Sequence, residues 1–268
     1  MAQSPNGIPN TNNSVNSITR QARYEPFDLQ VSRNQIMGHS TLSLFGYQAS
    51  VTTTSIPIWE NASAYTYPTS ASTLTVASTS ALDVAPALVT INGLDASFNP
   101  ISETVTLTGT SGVTTTNSYL RVNSLLMTGV ASGQTSNAGV ITAKQSSNTL
   151  AQINTGIGKS QSTIYTVPNG YQFYLTLAEV NTTGTYGSGT IITYKVVTKN
   201  NTTGVTLTVL QQPFIATYSV NRSDTPFLYD QKTDVQWQLG TNTGTISAGI
   251  IVAGKLVQAN NNVTGVGT

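Results

Sequence analysis

The stretch Tyr171-Gln172-Phe173-Tyr174-Leu175-Thr176-Leu177 decides the fold class, because Tyr171, Phe173, Leu175 and Leu177 alternate with Gln172, Tyr174 and Thr176. Such alternation suits an extended strand, whose successive side chains point to opposite faces, one buried and one wet. Outward from it the same pattern recurs in Thr73-Leu74-Thr75-Val76 and Thr104-Val105-Thr106-Leu107-Thr108. Further strands are expected at 162–167, 191–197, 205–210, 214–220, 234–239 and 245–252, all rich in β-branched and aromatic residues that pack well on a pleated surface. Turn chemistry lies between the runs: Asn92-Gly93, Gly109-Thr110-Ser111-Gly112, Pro168-Asn169-Gly170, 200–204 and 240–244. These residues supply the positive φ that tight hairpin links need.

Phe27-Asp28-Leu29-Gln30-Val31 alternates in the same way and reads as a first strand, followed by Leu42-Ser43-Leu44-Phe45-Gly46. No segment carries an amphipathic helix of three turns. The nearest, 146–154, has Leu150 and Ile153 spaced by three but is too rich in Ser and Asn for more than one helical turn. Many short strands with regular turns predict an all-β chain of antiparallel β-sandwich or jelly-roll-like domains with an extended N-terminal arm. The arm and first strand occupy 1–39, a first β-domain 40–155 and a second 156–268, the break falling at 154–159 where Gly156 and Gly158 loosen the chain.

Only 8% of the 268 residues are charged, 38% are hydrophobic and the net charge is +1. A disordered chain would pair low hydrophobicity with high net charge, so a packed core is expected, with Thr, Ser, Asn and Gln keeping the surface wet. Eleven scattered lysines and arginines make no electrostatic footprint for nucleic acid. No apolar run is long enough to span a bilayer and the start is not a signal peptide, which predicts a protein made and used in soluble form. Zero cysteines exclude disulfides, thiolate metal sites and a Cys nucleophile. Sequons such as Asn61-Ala62-Ser63 are expected by chance in so Asn- and Thr-rich a chain.

Gly93-Leu94-Asp95 and Ser102-Glu103-Thr104-Val105-Thr106-Leu107-Thr108-Gly109 resemble segments of a family of virion structural proteins of tailed bacteriophages, of the marine and cyanobacterial phage type. Gln35-Ile36-Met37-Gly38-His39-Ser40, Tyr119-Leu120-Arg121-Val122, Asn137-Ala138-Gly139-Val140-Ile141 and Tyr165-Thr166-Val167-Pro168-Asn169-Gly170 fall in the same order as in those proteins, over roughly 27–177. The resemblance implies a virion component made in the host cytoplasm. Its motifs are turns and strand edges, and no binding residue is carried over from the family.

Candidate sites are few. His39, the single histidine, is read as a turn residue beside Gly38 rather than as a member of a catalytic relay or metal site. Asp95 and Glu103 could face each other across a hairpin and Glu179 stands at the end of an aromatic-rich strand, and a glycosidase would need two such acids; an acid at a strand end is read instead as solvated or paired with a nearby cation. Asp224, Asp230 and Asp234 with Asn221 offer oxygen ligands for a hard cation, but their spacing matches no calcium loop, and a solvated loop paired with Arg222 and Lys232 is preferred. Tyr171, Phe173 and Tyr174, and again Trp59, Tyr65 and Tyr67, suit either core packing or a sugar-stacking platform. The Gly184–Gly189 run has no lysine and no following helix, so it is a loop.

The expected function is therefore non-enzymatic, with no cofactor and no metal. The chain is expected to decorate a capsid, or to serve as a head-fibre, neck or tail accessory protein, as a homo-oligomer with a trimer preferred. Its partners are itself and other virion proteins such as the major capsid or neck and tail proteins, with no direct nucleic acid and no membrane. Arg20, Arg23 and Phe27 are the expected partner-binding residues of the arm. The alternative is a receptor-binding adhesin that recognises host surface glycan.

Overall fold

The computed structural model describes residues 25–61, 63–184, 189–222 and 224–259. The chain divides into two compact units, Met1–Thr41 and Leu42–Thr268. Among the described residues of the first, Phe27–Ser32 is an α-helix, α1, where alternation predicts a strand. Pro26 precedes the first turn, and its carbonyl accepts the N–H groups of Leu29 and Gln30 at 2.9 and 3.1 Å. Phe27 and Val31 are four residues apart, so the apolar pair that alternation assigns to one strand face equally shares one helix face. Arg33 pairs with Glu25, and the Phe27 ring meets His39 edge-on at 5.8 Å.

The second unit carries antiparallel strands in four sheets, as the sequence predicts for an all-β chain. Two sheets enclose one core. The first orders β1 (His39–Val51), β17 (Ile246–Gln258), β11 (Tyr171–Thr183) and β14 (Thr217–Asn221), with β15 (Phe227–Tyr229) also on β11. The second orders β10 (Ile164–Thr166), β16 (Thr233–Thr241), β12 (Ile192–Asn200) and β13 (Thr206–Phe214), with β2 (Ile56–Pro57) on β16. The strand that decides the fold in the sequence, β11, pairs with β17 from Tyr171↔Gln258 to Thr183↔Ser247. Its inward Phe173 stacks near Tyr229 at 6.0 Å, and Tyr229 meets fully buried Trp237 edge-on. Each such buried aromatic contributes on the order of 2–3 kcal/mol by leaving water.

Two smaller sheets enclose a second core. One orders β6 (Val113–Thr114), β3 (Thr75–Ser78), β8 (Ile141–Gln145) and β9 (Asn148–Ile153). The other orders β5 (Pro100–Thr108), β4 (Val84–Leu94) and β7 (Arg121–Gly129). Leu74, Ile91, Leu107, Leu125, Ile141 and Ile153 pack between them with no exposed surface. On the wet face hydroxyls do the work that charges do elsewhere: Thr90 Oγ1 lies 2.8 Å from that of Thr104 and 3.2 Å from that of Thr128.

This second lobe is an insertion. The sequence division groups 40–155, whereas β1 and β2 of that range hydrogen-bond to β17 and β16 of the C-terminal sandwich. The chain thus crosses between lobes twice, after β2 and again at 154–163, and the glycines at 156 and 158 mark the return crossing. Two local expectations also change. The 146–154 segment contains β9, and the register shift at Ala143/Lys144 leaves Leu150 as an extra residue, which produces inward side chains spaced by three without any helix. Asn92-Gly93 is not a turn but lies within β4 at a register shift. A β-carbon on Gly93 would stand 2.2 Å from the carbonyl oxygen of Arg121, so glycine serves close approach here. Gly93→Ala should therefore destabilise the fold by about 1–3 kcal/mol in urea denaturation; an unchanged midpoint would mean that β4 and β7 separate at little cost.

Candidate functional site

Arg121 opens β7 of the inserted lobe and Asp234 lies in β16 of the sandwich, 113 residues away, yet they form the joint of the molecule. Nε and Nη2 of Arg121 donate to the two carboxylate oxygens at 2.8 and 2.9 Å, a bidentate pair with both side chains nearly inaccessible. Nη1 donates to the carbonyls of Pro68 and Leu120 at 2.9 and 2.8 Å, and Nη2 to Asn201 Oδ1 at 3.4 Å. Asp234 also accepts from Thr166 Oγ1 at 2.6 Å and Asn201 Nδ2 at 2.8 Å. The guanidinium lies 4.7 Å from the Tyr67 ring centre and 5.4 Å from that of Phe98. Tyr67, Tyr65 and Trp59 follow one another in edge-on contacts of 5.0 and 5.1 Å, so this aromatic group braces the joint. Burial raises the Tyr65 and Tyr67 hydroxyl pKa values above their ordinary 10.0, with Asp234 adding to the rise.

The two crossings are stitched to each other by Glu60. Its carboxylate oxygens accept the backbone N–H groups of Asn154 at 3.0 Å and Gln161 at 2.9 Å, so the outgoing linker holds both ends of the return linker. Burial raises its pKa from the ordinary 4.5 despite these two bonds. Asn123 of β7 adds a reciprocal pair to Thr166 of β10, donating to its carbonyl at 3.1 Å and accepting its N–H at 3.0 Å.

The other acids serve single loops. Asp95 accepts from the N–H groups of Ser97 and Asn99 at 2.7 and 2.9 Å within the β4–β5 turn. Burial alone would raise its pKa, but these bonds and the Asn99 side chain win and lower it from 3.8. Glu103 receives the N–H groups of Thr116 and Asn117 at 2.7 and 2.8 Å, and Asp83 those of Ala138 and Gly139 at 2.8 and 2.9 Å. The carboxylates of Asp95 and Glu103 thus serve different segments, and Glu179 accepts from Asn181 Nδ2 at 3.0 Å. Of the cation candidates, Asp234 turns to Arg121 and Asp230 accepts from Gln172 at 2.9 Å, while Arg222 stacks over Phe227 at 4.3 Å. Among the described residues no three His, Asp or Glu side chains gather as a metal site, and no helix is long and apolar enough to cross a membrane.

His39 begins β1 instead of sitting in a turn, with Nδ1 3.1 Å from the Met37 carbonyl oxygen. Of the two readings of Tyr171, Phe173 and Tyr174, Phe173 takes core packing, being fully buried, while Tyr174 bonds Gln172 on the opposite face. Arg20 and Arg23 lie outside the described residues, as does 185–188 of the glycine-containing loop; Phe27 is half exposed on α1. Sequence reasoning missed the Arg121–Asp234 joint; the available signal was a cation set between apolar Leu120 and Val122.

Removing one member of a buried ion pair leaves the other charge stranded. Arg121→Met should lower the unfolding free energy by about 3–5 kcal/mol, and adding Asp234→Leu should restore much of it. Additive losses in that cycle would mean the pair is not coupled. For Glu60, the folded state holds its proton more tightly than the unfolded state. Its contribution to stability is therefore full at pH below 4.5 and is lost as pH rises through the raised folded value. The stability of the wild type relative to Glu60→Gln should fall over that rise, and a difference independent of pH would refute the assignment.

No protein-family model matches the chain, and no curated protein matches it. Among solved structures it is similar to the subunit of infectious bursal virus-derived T=1 particles, with 12% identity, 84% of this chain and 71% of that chain covered, and a TM-score of 0.23. It is also similar to the VP2 subviral particle of infectious bursal disease virus, with 11% identity, 88% and 78% covered, and a TM-score of 0.21. TM-scores this low carry neither fold nor function across to the chain.

Proposed function

We propose that the chain is a non-enzymatic structural component of a phage particle, working as a homo-oligomer in capsid decoration or as a head-fibre, neck or tail accessory protein. The observation that carries this reading is the edge strand β13. Its nine residues include no charged side chain, and Leu207 and Val209 are 54% and 43% exposed, flanked by Val205 and by Ile215 at 68%. Edge strands in proteins that work alone are commonly guarded by lysines, and here the guards are Pro213 and a register shift opposite Val196 and Val197. An uncharged apolar edge suits a chain whose edge is covered by other copies. The described acids that hold loops, Glu60, Asp83, Asp95 and Glu103, favour a scaffold too, and the sequence resemblance supplies the particle.

In this reading residues 1–23, with Arg20 and Arg23, fasten the oligomer to a neighbouring virion protein. Quantitative mass spectrometry of purified virions against the major capsid protein tests it. Capsid decoration gives on the order of hundreds of copies and a neck, tail or fibre position a few to a few tens, as point-group symmetry at each location sets the number. Absence from the particle overturns the proposal. Deleting residues 1–23 should leave a folded oligomer that no longer joins the particle, and retained attachment would reject the role of the arm.

A further inference from the structure

Beside the Arg121–Asp234 pair lies a cleft of about 350 Å³ whose walls include Tyr67, Thr69, Phe98, Arg121, Lys199 and Asn201. We propose that this cleft binds one acidic saccharide unit, with the sugar carboxylate on the Lys199 ammonium and the sugar ring against Phe98. The inference does not depend on the particle role.

Charge is the first argument. Arg121 is already neutralised: all of its donors are used, and Asp234 accepts from Arg121 twice, from Thr166 and from Asn201. Lys199 is exposed at the end of β12 and makes no ion pair among the described residues. The acid opposite it in the β12–β16 register, Asp234, is already shared by Arg121, Thr166 and Asn201, and Asp95 of the β4–β5 turn is committed to the N–H groups of Ser97 and Asn99. An unbalanced cation thus borders a hollow in a chain of which only 8% is charged.

Backbone strain is the second. Phe98 sits at φ 66°, a region that side-chain-bearing residues seldom adopt. It is held there from both sides, by the Asp95 clamp and by Asn169, whose N–H donates to the Phe98 carbonyl at 2.8 Å and whose Nδ2 donates to Asn99 Oδ1 at 3.0 Å. Strain of this kind costs on the order of 1–3 kcal/mol and persists where surrounding contacts over-determine it, often at a binding site. What it achieves here is an aromatic ring fixed at the wall of the cleft.

A hollow of this size with an apolar ring, a hydroxyl at Thr69 and one ammonium matches a ligand that has a rigid apolar C–H face, several hydroxyls and one carboxylate. An acidic sugar has all three features; a flexible acidic peptide lacks the rigid face.

The test is NMR titration of the full chain with trigalacturonate, neutral galactotriose and triglutamate. Trigalacturonate should saturably shift the amides of Phe98, Lys199 and their neighbours, with galactotriose and triglutamate far weaker. Lys199→Gln should weaken trigalacturonate about tenfold, the worth of a charge-assisted contact. Phe98→Gly removes the ring yet suits the backbone, so it should lose binding while the amide spectrum away from the cleft stays that of the folded chain. Absence of saturable shifts at the cleft, wild-type affinity in both variants, or equal binding of triglutamate would each overturn the proposal.

Discussion

Once the Arg121 guanidinium is taken out of water, each of its five N–H groups needs an acceptor, and much of the architecture follows from that demand. Asp234 meets two, the carbonyls of Pro68 and Leu120 meet two and Asn201 meets the last. These acceptors come from the outgoing linker, the inserted lobe and the sandwich, so the cation acts as the point where three parts of the chain must agree. Such a pair adds little net stability over a well-packed apolar substitute, but it tolerates only one relative placement of the groups around it. The strained turn at Phe98 and the aromatic group from Trp59 to Tyr67 are arranged about that point.

Scarcity of charge explains how the rest is held. The carboxylates of Glu60, Asp83, Asp95 and Glu103 each receive two backbone N–H groups from one segment or from two that meet. Buried or turning backbone would otherwise leave these donors without partners. Sheet surfaces use hydroxyl and amide contacts instead, as between Thr90, Thr104 and Thr128 and between Asn92 and Ser102. The composition is thus a division of labour, with acids inside the chain's corners and neutral polar groups on its faces.

Strand content was legible because the alternation at Tyr171–Leu177 or Thr104–Thr108 is a local property of half-buried sheets. What is non-local was not. The pairing of β1 with β17 and of Arg121 with Asp234 leaves no periodic trace, so the insertion read as a consecutive pair of domains. Local ambiguity accounts for other differences: Phe27 and Val31 fit a strand or a helix equally, and a bulge at Leu150 gives helical spacing to a strand. Asn92-Gly93 carried a turn signature, yet the glycine answers to the Arg121 carbonyl. Asp95 and Glu103 were noticed as candidate catalysts because sequence shows residue types, whereas their real neighbours are main-chain N–H groups, which every residue type except proline carries.

The pairing of β1 with β17 also has a temporal side. During synthesis β1 must wait, unpaired, until β17 has been made, while the intervening β3 to β9 lobe already has a core of its own. Long-range pairing of this kind closes slowly and leaves strand edges open meanwhile. The inserted lobe is therefore placed to fold during synthesis, and the sandwich only after its completion, so that a truncated chain never presents a finished sandwich for assembly.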